Sequence, residues 1–217
     1  MIARAPLLIF LAVFAAGTLA LPHTGVTDDD DFYLPAGHSA MRWVRTLVTA
    51  PTQALRADVI DAHWTINKEH PPVAKLAIGL GRYIGHELTG WWSALDAGRL
   101  GILLFFAWAA MLVFKWAESR AGPIAGLFAV GAFVLMPRVA FHGRVNTLDM
   151  AVAATTTNFL WVFWRRQDQP GWRAPLLMGL AFGLAMSTKL NAPFALIGCG
   201  LFFVADRWHS FRPQAEG

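Results

Sequence analysis

An all-α polytopic membrane bundle of about six spans, with a long external loop after the first, is the fold class this sequence predicts. Three observations carry the prediction. The 217 residues are 56% hydrophobic and 15% charged, whereas soluble domains run at about 45–50% apolar and about a quarter charged. The apolar excess is gathered into long blocks, and the mean hydropathy is +0.44. Lys and Arg stand at the ends of those blocks and form no basic run interleaved with exposed aromatics, so the net charge of +4 reports membrane orientation and not nucleic-acid binding. A single cysteine, Cys199, excludes an internal disulfide framework and a cysteine-based zinc site.

The predicted spans are 6–21, 100–116, 123–137, 148–164, 172–188 and 192–205. Several fall short of the roughly 20 residues that cross a hydrocarbon core, and the last is short enough to be a buried or re-entrant helix. If the six cross in turn, Arg4, Lys115, Arg120, Arg165, Arg166, Arg173, Arg207 and Arg212 share one side, against Arg138, Arg144 and Lys189 on the other. Eight cations against three assign the first side, and with it the N-terminus, to the cytoplasm. Residues 1–20 also fit a signal peptide, with Arg4 before an apolar core and Thr18-Leu19-Ala20 as a cleavage site; the length of the apolar run favours an uncleaved anchor. Gly122 with Gly126, and Gly179 with Gly183, have the spacing of helix contact faces.

The external loop, residues 22–98, holds nine of the fourteen acidic residues. Within it, 32–47 mixes Phe32, Leu34, Met41, Trp43 and Leu47 with Arg42 and Arg45, the pattern of an amphipathic helix lying along the membrane surface. Trp64, Trp91 and Trp92 suit the headgroup level.

Three features of the outer face carry chemistry. Asp28-Asp29-Asp30-Asp31 follows the first span directly. It is either a solvated acidic first turn of the next helix or a set of carboxylates tuned towards general-base work by a low-dielectric setting. His70-Pro71-Pro72 precedes Val73-Ala74-Lys75, where proline bends the chain and then tolerates a helix start. That arrangement mounts His70 and Lys75 either as phosphate ligands or as an ordinary helix start with an interfacial lysine. Arg144-Val145-Asn146-Thr147-Leu148-Asp149 forms the third feature, with Asp149 in a helix N-terminal turn that stabilises an anion, and Arg144 as its ready ion-pair partner. Lys189 reaches the same face. Because these groups gather at one surface and almost none lies at mid-bilayer depth, a transporter is the weaker reading.

In order and sidedness these motifs resemble the polytopic GT-C glycosyltransferases, closest to the protein O-mannosyltransferases that use dolichyl or polyprenyl phosphate mannose, with the lipid A aminoarabinose transferases as relatives. The resemblance runs from about residue 6 to 193. Such enzymes carry an Asp-Glu pair followed by an aromatic residue. Asp29 and Asp30 with Tyr33 fit that spacing, and Asp28 and Asp29 with Phe32 fit it equally; where the family has Glu, Asp30 is one methylene shorter. The resemblance implies catalytic roles for Asp29, Asp30 and Asp149, with Asp29 as the base, and substrate-binding roles for His70, Lys75, Arg144 and Lys189. It implies a polyprenyl-phosphate-linked sugar as donor, a protein or lipid acceptor, membrane lipids as surroundings and an extracytoplasmic catalytic face. Residues 1–217 then form one membrane-embedded module, the N-terminal part of a larger architecture that works alone, with a second subunit, or as a non-catalytic lipid-phosphate-binding subunit. A divalent metal on the aspartate run is chemically compatible, since carboxylates suit hard cations, without a complete ligand set being visible.

Overall fold

The structure is a computed structural model that describes residues 4–208, so Arg212 of the orientation argument lies outside the described residues. Every regular element among the described residues is helical: α1 (Ala5–Ala20), α2 (Asp28–Thr49), α3 (Pro51–Ala54), α4 (Ala57–Trp64), α5 (Pro72–Arg82), α6 (Ala94–Leu135), α7 (Pro137–His142), α8 (Asp149–Arg166), α9 (Arg173–Met186) and α10 (Pro193–Trp208).

Two helices are long and apolar enough to cross a membrane, Ala5–His23, which adds a 3-10 turn to α1, and α6. As one rod the 42 residues of α6 would measure about 63 Å, roughly twice a hydrocarbon core. The rod is broken. Gly122 sits at φ 85°, ψ 176°, immediately before Pro123, a left-handed position that costs glycine little. The second arm folds back on the first: the rings of Phe106 and Phe133 lie 5.9 Å apart, and a Cβ on Gly126 would touch the Phe114 ring. Gly122 is therefore the turn of a helical hairpin, and Gly126 is a contact glycine within it. A Cβ on Gly179 or Gly183 meets nothing within 4 Å, so that predicted contact face is uncovered among the described residues.

The apolar stretches that the sequence marks as spans thus become α1, the two arms of α6, α8, α9 and α10. Large apolar side chains remain outward on them, including Leu7 and Leu19 on α1, Ile124 and Phe128 on α6, and Phe194 and Leu201 on α10. So much exposed apolar surface is what a bilayer covers. Inside, Ile78 of α5, Ile102, Leu103 and Phe106 of α6, Leu148 and Met150 form the main core, and a smaller cluster joins Phe159, Ala181 and Cys199 of α8, α9 and α10.

The predicted surface helix is α2, which buries Ala36, Gly37 and Ala40 and leaves Arg42 and Arg45 outside. Helix α5 is clasped between α2 and α6 at glycine crossings. A Cβ on Gly79 would fall on the Gly37 carbonyl, and one on Gly101 on the Ala77 carbonyl. The backbones are in contact there, so α5, which carries Lys75, has a fixed seat.

Candidate functional site

Four aspartates occupy the first turn of α2, and they are not equivalent. Thr27 caps the helix in a capping box: its hydroxyl accepts the Asp30 N–H at 3.3 Å, while its own N–H donates to Asp30 Oδ2 at 3.0 Å. Asp30 thereby turns inward, and its side chain is 1% exposed. There the wholly buried Arg99 donates from Nη2 to Oδ2 at 2.6 Å and from Nε to Oδ1 at 3.2 Å. The backbone N–H and the Nδ2 of Asn146 both donate to Oδ1 at 2.9 Å. Arg99 also reaches the carbonyls of Thr24 and Gly25, at 3.0 and 2.7 Å. Burial pushes the Asp30 carboxyl up, but the Arg99 hydrogen bonds, the Asn146 amide and the Arg99 charge outweigh it and hold the group below the ordinary carboxylate range. Asp30 is the pin that joins the start of α2, the start of α6 and the turn before α8.

That pin fixes its neighbours. Asp29 is half-buried; the phenol of Tyr33, one turn on, has its ionisation pushed up by burial and then by the negative charges of Asp29 and Asp149. The Tyr33 ring lies 6.1 Å from the His70 ring. Asp149 opens α8, with its side chain 53% exposed; Lys189 Nζ donates to its Oδ1 at 3.0 Å and His142 Nδ1 stands 3.9 Å from Oδ2. Tyr33 therefore links these groups: it feels the charges of Asp29 and Asp149 and adjoins His70, and Lys189 joins them through Asp149.

Lys75 adjoins these groups through Asn67. Pro71 and Pro72 start α5, and Val73 N–H donates to the Ser187 carbonyl at 3.0 Å, tying this start to the end of α9. Lys75 is 2% exposed. Its ammonium donates to the Asn67 carbonyl at 2.9 Å and lies 5.5 Å from the centre of the Trp64 ring, which meets Trp43 edge to face. Asn67 holds that carbonyl in place from a left-handed conformation, φ 57°, which asparagine tolerates. Burial lowers the Lys75 pKa and outweighs the negative charge of Glu69, which raises it. With one acceptor engaged of three donors, the ammonium lines a cavity of about 480 Å³ shared with His70, Trp64, Glu69 and Leu190.

Arg144 departs from this gathering. Its Nε donates to the Ala140 carbonyl at 2.9 Å, and it lines a separate apolar cavity with Val13, Phe106 and Val134. The ion-pair partner of Asp149 is Lys189 instead. Among the described residues no cluster of three His, Cys, Asp or Glu side chains has the geometry to hold a metal ion; of the aspartates of α2, Asp30 is buried against Arg99 while Asp28 and Asp31 are exposed. Arg99 is the residue that sequence reasoning missed. It lies at the head of an apolar run, where an arginine looks interfacial; its signal was an ionisable group at the edge of a span, opposite an unmatched acid cluster.

No curated protein and no solved structure matches the chain. A sequence profile described as dolichyl-phosphate-mannose-protein mannosyltransferase matches residues 69–214. The match takes in His70, Lys75, Asp149 and Lys189, and begins after the aspartate run. It covers about two thirds of the sequence, and the chain belongs to the dolichyl-phosphate-mannose-protein mannosyltransferase family of membrane glycosyltransferases.

Proposed function

We propose that this chain transfers a mannose-like hexose from a polyprenyl or dolichyl phosphate to a hydroxyl of a protein or glycolipid acceptor, with inversion at the anomeric carbon. The observation that supports the reading is the chain of contacts from a half-buried carboxylate, Asp29, whose charge acts on Tyr33, through the Tyr33 hydrogen bond to Asn67, to a desolvated ammonium, Lys75, that donates to the Asn67 carbonyl and keeps donors to spare. Lipid phosphate is already a good leaving group, so the protein has three tasks: to accept a proton, to receive phosphate charge and to align the partners. Asp29 takes the proton of the acceptor hydroxyl as the acceptor oxygen bonds to C1. The C1–oxygen bond to phosphate breaks, and the phosphate leaves with the electron pair towards Lys75 and His70. Asp149, held by Lys189, orients the acceptor.

In this reading Asp30 is a positioning residue, because both its oxygens are already occupied by Arg99, Asn146 and Thr27. Arg144 braces the turn before α8 and does not bind donor. The bundle crosses the membrane six times, with the N-terminus cytoplasmic and the site on the extracytoplasmic face.

The test is turnover of labelled polyprenyl phosphate mannose by the chain in liposomes, supplied with candidate acceptors and partner subunits. Asp29→Asn is expected to lower turnover by about 10²- to 10⁴-fold, the usual worth of a general base, while donor binding persists. Equal donor consumption by Asp29→Asn and wild type overturns the assignment of the base. No consumption by wild type, where related enzymes work, favours a non-catalytic lipid-phosphate-binding subunit.

A further inference from the structure

Helix α8 carries Asp149 in its first turn and Arg165 and Arg166 in its last, about 24 Å apart along the axis. The far end of α8 is therefore well removed from the site above. There a cavity of about 620 Å³ opens between α6, α8 and α9. One wall is cationic and polar, made by Lys115, Asn158, Arg165 and Arg166, and the other is aliphatic, made by Leu177, Leu180 and Leu184. No carboxylate lines it. Its floor is Trp161, with Lys115 Nζ at 5.5 Å and Arg165 Cζ at 5.6 Å from the ring centre and Trp116 at 5.8 Å.

Two features make this more than a girdle of snorkelling cations. Arg207 is paired with Asp168, and Arg120 is turned away over Trp164, so neither of these neighbouring cations lines the cavity. Among the described residues neither Lys115 nor Arg165 forms an ion pair, and Arg166 donates only to Gln169, at 2.7 Å. Contact with an aromatic face holds a cation in position without neutralising it, and the negative end of the α8 dipole offsets only part of the charge. A concave site results, with positive charge on one wall and apolar surface on the other.

We propose that this cavity binds an anionic phospholipid, its phosphate on Lys115 and Arg165 and its acyl chain along Leu177, Leu180 and Leu184. A free phosphate shares the headgroup chemistry, but the leucine wall has no use in holding it. The site is separate from donor chemistry and stands whether or not the proposed reaction does.

The experiment is native mass spectrometry of the full chain in detergent, titrated with phosphatidylglycerol, phosphatidylcholine or glycerol 3-phosphate. Phosphatidylglycerol is expected to be retained and the other two lost. Each cation removed, as Lys115→Gln or Arg165→Gln, should weaken retention about fivefold, the worth of one basic residue at an anionic surface. Arg173→Gln, which removes a cation over Trp172 outside the cavity, should change nothing. Equal retention of phosphatidylcholine, equal binding of glycerol 3-phosphate, an Arg173→Gln loss as large as the Arg165→Gln loss, or a Lys115→Gln/Arg165→Gln double variant that binds like wild type each overturns the proposal. Should the double variant fail to fold, Arg165→Gln read against Arg165→Lys decides, because the lysine keeps the charge.

Discussion

Lys75 is a cation held dry with one carbonyl and one tryptophan face for company, an arrangement that costs stability. Desolvation of a charge costs several kcal/mol, against about 1 kcal/mol for the hydrogen bond to Asn67 and about 0.5–2 kcal/mol for the Trp64 contact. The sign with pH agrees. Because the folded pKa is depressed, the folded state binds this proton less readily than the unfolded chain, so the penalty is full below the folded value and fades as pH rises towards the unfolded one. Lys75→Met, similar in length and apolar, is accordingly expected to leave the melting temperature in detergent unchanged or raised while donor turnover falls by about 10²-fold or more. A melting temperature lowered together with activity would mark Lys75 as a structural group. The sequence showed where this lysine begins its helix but not that it is dry, because its burial depends on Trp64, at the end of the preceding helix, and on a carbonyl set by Asn67. The aspartate run shows the same limit: its spacing fits Asp28 with Asp29 as well as Asp29 with Asp30, and only the arrival of Arg99 and Asn146 from distant segments marks Asp30 as the buried anchor.

Among the elements, α5 is the one whose placement the site depends on, and glycine contacts hold it. Gly79→Ala puts a methyl group on the Gly37 carbonyl, which forces α2 and α5 apart; overpacking of this kind costs about 1–3 kcal/mol. A lower melting temperature with reduced turnover is expected from it, whereas Gly131→Ala, where a Cβ meets nothing within 4 Å, should be neutral or mildly stabilising; equal effects would deny the crossing. The Asp30–Arg99 pin acts on the start of α2 in the same way. Arg99→Met strands a buried carboxylate and is expected to cost about 3–5 kcal/mol, measured by denaturant unfolding at neutral pH. Since the Asp30 pKa is depressed in the folded state, its contribution is complete above the ordinary carboxylate value of about 4 and is lost as pH falls through the folded value. The gap between wild type and Asp30→Asn must therefore narrow below about pH 4; a gap that persists there removes ionic anchoring as its source. The longer helices were legible, α1, α2, the start of α5, the arms of α6, α8, α9 and α10, because apolar blocks and proline starts are local signals, whereas the short α3, α4 and α7 were not. The hairpin within α6 was legible as two spans, yet Gly122 looked like a contact glycine, since its left-handed φ appears only when the second arm packs on Phe114.

At the scale of the whole molecule the two ends differ in chemistry. Asp149 and Lys189 lie at one end of α8, and Lys115, Arg165 and Arg166 gather at the other, the separation expected if the basic end faces the cytoplasm. Alternation of the helices then makes a prediction for every connecting turn. With Cys199 replaced by serine, leaving a chain free of native cysteine, Asp31→Cys and Arg138→Cys are expected to react with an impermeant maleimide from outside intact cells. Ala121→Cys, beside the hairpin turn, and Pro170→Cys, between α8 and α9, are expected to react only after the membrane is opened. All four positions are exposed, so a difference in labelling reports sidedness and not burial. If Ala121→Cys labels together with Arg138→Cys, the α6 hairpin does not cross and the six-span arrangement falls. If Asp31→Cys and Arg138→Cys label from opposite sides, Asp29 and Asp149 cannot serve one substrate and the proposed chemistry falls with it.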